Sequence, residues 1–141
     1  MSQLIYTSRE TQEFSPADLS KLLVRARRRN SAMGLTGMLI YQDGTFLQAL
    51  EGGEAAVSEI FCRIEKDPRH GDLHVLHRSA LLLGPRAFGE SPMGFADAAG
   101  VAQILRGFLK IHKHASLSAL DTASAIDMLE ACGREIRAQS A

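Results

Sequence analysis

The chain has 141 residues, of which 45% are hydrophobic and 23% charged, a composition typical of one globular domain with a modest additional element. Its 16 basic residues balance 16 acidic ones, so no overall field draws it to nucleic acid or an anionic membrane. It shows no signal-like N-terminus, no apolar run of the roughly 20 residues that span a membrane, and no Cys/His spacing typical of zinc sites. We therefore expect a cytoplasmic protein without metal, with two free and mostly buried cysteines.

The first half of the chain predicts a strand, a helix and a hairpin. Residues 3–8 (QLIYTS) are typical of a strand. Ser15 is a suitable cap for a following helix, with Pro16 at its first position and Asp18 at the capping-box position, and the helix should end near Asn30. The apolar runs at 38–41 and 45–50 flank Asp43-Gly44 and predict a β-hairpin.

The second half predicts a second helix, further strands and a helical tail. Apolar residues at 57, 60, 61 and 64 share a helical face that ends at Asp67-Pro68. Residues 73–76 alternate like a strand, 88–95 have room for a last short strand, and the pattern from 99 onward is helical.

The resulting order, β-α-β-β-α-β with an additional strand, predicts an α+β, ferredoxin-like sheet. Two helices should cover one face of this sheet, and a C-terminal two-helix extension the other. We divide the chain into a core, 1–97, and a helical cap, 98–141.

Three polar residues stand where a plain core would favour apolar ones. Tyr6 lies in the first strand, and Gln48 shares a strand face with Phe46 because strand side chains alternate. Tyr6 alone is explained by a core tyrosine, Gln48 by an exposed sheet face, and Asn30 by a helix end. Together, a phenol and two amides over one sheet face suit a flat heterocycle with a polar edge. They do not suit hydrolysis, which requires an activated nucleophile or a metal.

Four stretches of the chain resemble the BLUF family of blue-light sensors using FAD. They are Leu4-Ile5-Tyr6-Thr7-Ser8, the stretch 29–39 with its asparagine and glycine–threonine–glycine, the stretch 46–52 (FLQALEG), and Asp67-Pro68-Arg69-His70. The spacing from Tyr6 to Asn30 and to Gln48 also fits the family. The resemblance covers residues 1 to about 95.

The resemblance implies a noncovalent flavin, FAD with FMN or riboflavin still open, held over the sheet between the two helices. It implies that Tyr6 hydrogen-bonds Gln48 and that Gln48 faces the ring. The other residues expected to contact the flavin are Ser8, Arg29, Asn30, Arg69 and His70. Leu22, Leu23 and Ile64 are candidate walls, and Arg28 or Arg29 is a candidate for the phosphates unless both lie on a solvated helix face.

The implied function is a reversible hydrogen-bond switch among Tyr6, Gln48 and the flavin, which catalyses no reaction and signals to a partner protein in trans or through self-association. Met93 is expected to belong to the switch. The chain departs from the family in having Arg29-Asn30 where two asparagines are frequent. It also has no tryptophan, with Ser91 at the place where many members carry one.

Two other classes remain open from the sequence. A flavin-dependent oxidoreductase would oxidise NAD(P)H, although Gly34-Leu35-Thr36-Gly37 precedes a strand and is no dinucleotide fingerprint. A flavin-free ferredoxin-like binding module would be colourless, and an RNA-binding one would need more aromatic and basic residues on its sheet.

Overall fold

The computed structural model describes residues 2–42, 44–79, 94–96, 122–123 and 125–131. Its elements are β1 (Ser2–Glu10), α1 (Pro16–Ala32), β2 (Thr36–Gln42), β3 (Thr45–Gly52), α2 (Glu54–Glu65), β4 (His70–Ser79) and β5 (Gly94–Ala96).

The strands form one sheet in the order β4-β1-β3-β2-β5. β1 pairs with β3 and β4, and β2 with β3, all antiparallel, whereas β5 runs parallel to β2. This is the ferredoxin-like arrangement with an added edge strand, and the predicted fold class is confirmed.

Both faces of the sheet are buried along its inner strands β1 and β3. On one face, side chains such as Leu4 and Leu50 form a core with apolar residues of both helices, among them Leu23 and Ile60. On the opposite face the alternate residues, including Leu47, are also inaccessible. β3 lies between two antiparallel neighbours, β1 and β2, and all eight of its residues are buried.

A helical segment near the C-terminus belongs to this packing. Residues 122–123 and 125–131 are helical, and Ala125, Met128 and Leu129 are fully buried. The Thr122 hydroxyl donates to the Leu76 carbonyl at 2.8 Å, which ties the segment to β4. The remainder of the predicted cap lies outside the described residues.

The start of α1 follows the sequence signals closely. Ser15 caps the helix, its hydroxyl accepting from the Asp18 amide, and the Asp18 carboxylate accepts from the Ser15 amide in return. At the other end the helix continues to Ala32, two residues beyond the predicted end, and Gly34 follows with a φ of 70°. Only glycine adopts this left-handed conformation without strain, so the chain turns there into β2.

Two predictions differ from the structure. β4 extends over His70–Ser79 rather than 73–76, because an edge strand accepts polar side chains that conceal the alternation. Cys62 is exposed, since it lies on α2 away from the buried Ile60, Phe61 and Ile64, and the expectation of a buried thiol there was wrong. Cys132 and the turn residue Asp43 lie outside the described residues.

Candidate functional site

Tyr6 and Gln48 meet on the helix-covered face of the sheet. Their Cα atoms are direct partners in the antiparallel ladder between β1 and β3, so their side chains project side by side. The Tyr6 hydroxyl donates a hydrogen bond to Gln48 Oε1. The central pair of the predicted trio is thus in direct contact.

This contact is almost completely shielded from water. Tyr6 is 1% exposed and Gln48 7%, and the Phe61 ring packs edge-on against Tyr6 with 6.1 Å between ring centroids. Burial raises the pKa of the Tyr6 phenol far above its ordinary value, and the nearby Arg29 charge opposes this only in part. Tyr6 is therefore a neutral hydrogen-bond donor at physiological pH, and Gln48 does not lie on an exposed sheet face.

Gln48 also faces a cavity between the two helices, which we call the inner cavity; its volume is about 50 Å³. Its floor is Leu39 and Gln48 of the sheet, and its walls include Ala26 of α1 and Ile64 of α2. The full lining is Leu22, Arg25, Ala26, Arg29, Leu39, Gln48, Ile64, Asp67 and Arg69. The inner cavity is thus apolar on its sides and polar at one end and around its rim.

A second cavity of about 440 Å³, the outer cavity, adjoins the inner one. It is formed by the loop 11–14, the first half of α1 and the turn at Pro68-Arg69, and it shares Arg25 and Arg69 with the inner cavity. Arg25 and Arg69 therefore stand at the border between the two cavities. The outer cavity has a volume within the range of about 300–1,000 Å³ that is usual for small-molecule sites.

Asn30 is fully buried in the last turn of α1, so its side chain does not end the helix as a surface cap. Its Oδ1 accepts from Arg29 Nε at 3.3 Å, and its carbonyl accepts from the Leu35 amide at 2.8 Å. Arg29 lines the inner cavity, and burial lowers the pKa of its guanidinium. Arg29 thus connects the buried amide of Asn30 with the inner cavity, which Asn30 itself does not line.

Arg69 stands at the rim of both cavities in an ion pair with Asp67. Its Nη2 lies 2.6 Å from Asp67 Oδ2, and its amide also donates to that carboxylate at 2.9 Å. The hydrogen bond to Asp67 raises the pKa of Arg69. His70 follows as the first residue of β4, and its side chain lies outside what the structure describes.

Of the other sequence-predicted residues, some line a cavity and others lie elsewhere in the fold. Ser8 is buried on the Tyr6 face, two residues further along β1, but lines neither cavity. Leu22 and Ile64 line the inner cavity, whereas Leu23 is buried in the core between the helices and the sheet and lines neither cavity. Arg28 is exposed and lines neither cavity. Met93 lies outside the described residues.

The lining residues that were not predicted include Lys21 and Arg25 on α1, and Asp67 in the turn before β4. Their signal was present in the spacing of the basic residues, since positions 21, 25 and 29 recur every four residues and share one helix face. The same pattern is also typical of a solvated face. This helix face lines a cavity because residues 11–14 and 67–69 lie opposite it.

Tyr41 forms a second hydrogen-bonded tyrosine at the end of β2. Its hydroxyl donates to Glu10 Oε2 at 2.6 Å, and its ring packs on Phe46 with 4.9 Å between centroids. Burial and then the Glu10 hydrogen bond raise the pKa of Tyr41 to about 12. Because it is bonded to a carboxylate and not to Gln48, Tyr41 provides a natural control for Tyr6.

Within the described part of the chain, no group of three or more His, Cys, Asp or Glu side chains is arranged to hold a metal ion. No helix in that part is long and apolar enough to cross a membrane.

Comparison with protein families gives a match to the BLUF model, described as sensors of blue light using FAD, over residues 1–94. Photoactivated adenylate cyclase subunit beta of Euglena gracilis is 40% identical over 81 residues, which are 57% of this chain and 9% of that protein. The chain thus spans only about a tenth of the length of this relative.

Solved structures give the same result for the fold. The BlsA ground state superimposes with a TM-score of 0.83 at 25% identity, over 94% of this chain and 87% of that one. BlrP1 of Klebsiella pneumoniae, solved with FMN and cyclic diGMP, has a TM-score of 0.63 at 34% identity over 74% of this chain and 29% of that one.

Proposed function

The chain belongs to the BLUF family of blue-light sensors using FAD, and from this premise we propose that Tyr6 and Gln48 are its light-operated hydrogen-bond switch. The observation that carries the proposal is the buried bond from the Tyr6 hydroxyl to Gln48 Oε1. Its acceptor, Gln48, is also the polar end of the inner cavity.

The residues present fit a flavin ring. The inner cavity has apolar side chains on opposing helices, which suit the two faces of a flat ring, and an amide at one end that both donates and accepts hydrogen bonds. When bound, a flavin supplies absorption of blue light and, once excited, acceptance of an electron. Arg29 and Arg69 are two of the three arginines that line this cavity, and they would bind carbonyl oxygens of the ring or hydroxyls of its chain.

The chemistry of the chain itself is the movement of one proton. Tyr6 holds its proton firmly in the resting state, because burial disfavours the phenolate. Loss of an electron makes the phenol strongly acidic, and its proton then passes along the existing hydrogen bond to Gln48 Oε1. When the electron returns, Tyr6 recovers a proton from Gln48. The amide is left rotated or tautomerised, with a changed hydrogen bond toward the cavity, and the protein has neither gained nor lost a proton or an electron.

FAD is the proposed cofactor, in accordance with the family description, and a separate effector protein is the proposed recipient of the signal. The Euglena relative supports the existence of an effector, because the region that matches this chain is only 9% of a photoactivated adenylate cyclase subunit. We divide the chain functionally into a sensing core, 1–97, and a cap, 98–141, through which the core would reach a partner or a second copy. Residues toward β5, among them Met93, are the proposed route from the switch.

The test is the absorption spectrum of the purified full chain before and after blue light. We expect a yellow protein with a small, reversible red shift that is lost in Tyr6→Phe and Gln48→Leu although the flavin stays bound. Tyr41→Phe is the matched control and should keep the photocycle. A normal photocycle in Tyr6→Phe would refute the assignment of Tyr6, and a colourless protein would refute the proposed function. Steady-state oxidation of NAD(P)H would instead support an oxidoreductase.

A further inference from the structure

A row of three cations on α1 runs from the lining of the inner cavity to that of the outer cavity. Lys21, Arg25 and Arg29 are spaced by four residues, or about 6 Å per step along the helix axis. Arg29 lines the inner cavity only, Arg25 lines both cavities, and Lys21 lines the outer one only. The row therefore leads from the inner cavity, which Gln48 lines, to the outer one.

These cations differ in their own partners. The guanidinium of Arg29 donates to Asn30, and that of Arg69, opposite the row, is paired with Asp67. Among the described residues, neither Lys21 nor Arg25 makes a hydrogen bond or an ion pair. Lys21 acts only at longer range on Asp18, whose carboxylate is engaged with the Ser15 amide, and Glu13 is the other acid of the outer cavity.

We propose that Arg25 and Lys21 form a phosphate-recognition subsite that makes the protein select flavins by the number of their phosphates. The inference rests on the proposed flavin site, because the ring must lie in the inner cavity for its chain to leave past Arg25. Riboflavin carries no phosphate, FMN one and FAD two. Arg25, at the junction of the cavities, is met first and takes the phosphate nearest the ring. Lys21, one turn further out, takes the second.

The chemistry of both side chains fits this order. A guanidinium binds phosphate oxygens through two parallel hydrogen bonds, and an ammonium binds them as a compact charge. Both side chains are exposed, so the contribution of each to affinity is reduced by solvent screening. We expect each contact to change affinity by about tenfold or less, which corresponds to about 1.4 kcal/mol.

The experiment titrates the flavin-free full chain with riboflavin, FMN and FAD, following the fluorescence of the ring. The parent chain should bind FAD more tightly than FMN, and FMN more tightly than riboflavin. Arg25→Ala should weaken FMN and FAD by about tenfold more than it weakens riboflavin, which meets Arg25 only through its ring and chain. Lys21→Ala should weaken FAD alone. Arg28→Ala removes an equal charge from the same helix outside both cavities and should change none of the three affinities.

Two further measurements separate recognition from folding. Arg25→Lys and Lys21→Arg keep the charge and should retain most of the preference for phosphorylated flavins, and added salt should weaken FMN and FAD but not riboflavin. Equal affinities for the three flavins in the parent chain would overturn the subsite, as would an equal loss for all three in Arg25→Ala. Failure of the parent chain to bind any flavin would instead overturn the proposed function itself.

Discussion

The hydrogen bond between Tyr6 and Gln48 should contribute measurably to the stability of the chain, because its two side chains are 1% and 7% exposed. Tyr6→Phe removes only the hydroxyl and keeps the ring against Phe61. Gln48, which is only 7% exposed, then loses this donor. Such a loss costs about 1–3 kcal/mol in the free energy of unfolding.

Gln48→Leu should cost a similar amount, because it removes the acceptor of a buried phenol. The double variant replaces both polar groups by apolar ones, and it should be less destabilised than the sum of the single variants by about 1–2 kcal/mol. The assay is urea unfolding of the four full chains, with and without flavin, at neutral pH. The dependence of the free energy on urea should be the same in all four, since the surface exposed on unfolding hardly changes.

Strictly additive effects of the two substitutions would refute a direct bond between these side chains. Tyr41→Phe combined with Gln48→Leu is the matched control cycle. Tyr41 donates to Glu10 and not to Gln48, so its effect should add to that of Gln48→Leu with a coupling near zero.

The remaining predictions concern other parts of the fold. Gly37→Ala would place a Cβ 2.5 Å from the Ala49 carbonyl oxygen and should lower the free energy of unfolding in urea by about 1–3 kcal/mol. Gly53→Ala meets nothing within 4 Å and should cost less, because it loses only the preference for glycine over alanine at the N-cap of α2; equal effects would contradict the close contact at Gly37. The pKa of Tyr41 is raised from 10.0 to about 12, so the stability it contributes should persist below pH 10 and be lost as the pH rises toward 12. Alkaline unfolding should therefore be less steep in Tyr41→Phe, and identical curves would count against this. Ser15→Ala removes the cap of α1 and should cost about 1 kcal/mol in thermal unfolding, while no loss would mean that the cap is dispensable.

Local signals predicted much of the architecture. Ser15 and Asp18 form the expected capping box because that motif requires only the four residues it contains. The alternation of β3 placed Gln48 beside Phe46 on one face, and pairing with β1 then brought it to Tyr6. These inferences depend on contacts within one element or between neighbouring strands.

The cavity lining was harder to predict because it depends on several elements at once. Lys21 and Arg25 look like solvent-facing residues of an amphipathic helix until the loop 11–14 and the turn at Asp67 enclose them. Leu22 and Leu23 are adjacent and equally apolar, yet one lines the inner cavity and the other lies in the core. Helical periodicity alone does not predict which of two neighbouring apolar residues faces the cavity and which faces the core.

The central place of β3 also has a consequence for the fidelity of a sensor. Gln48 stands on a strand whose eight residues are buried and which is hydrogen-bonded along both edges. Moving its backbone would break two ladders and open the packing on both faces, whereas rotating its amide disturbs neither. In the proposed switch, spontaneous events in darkness would therefore have to pass through the torsions of this one side chain. The barrier to that rotation would then set the background rate of false signals.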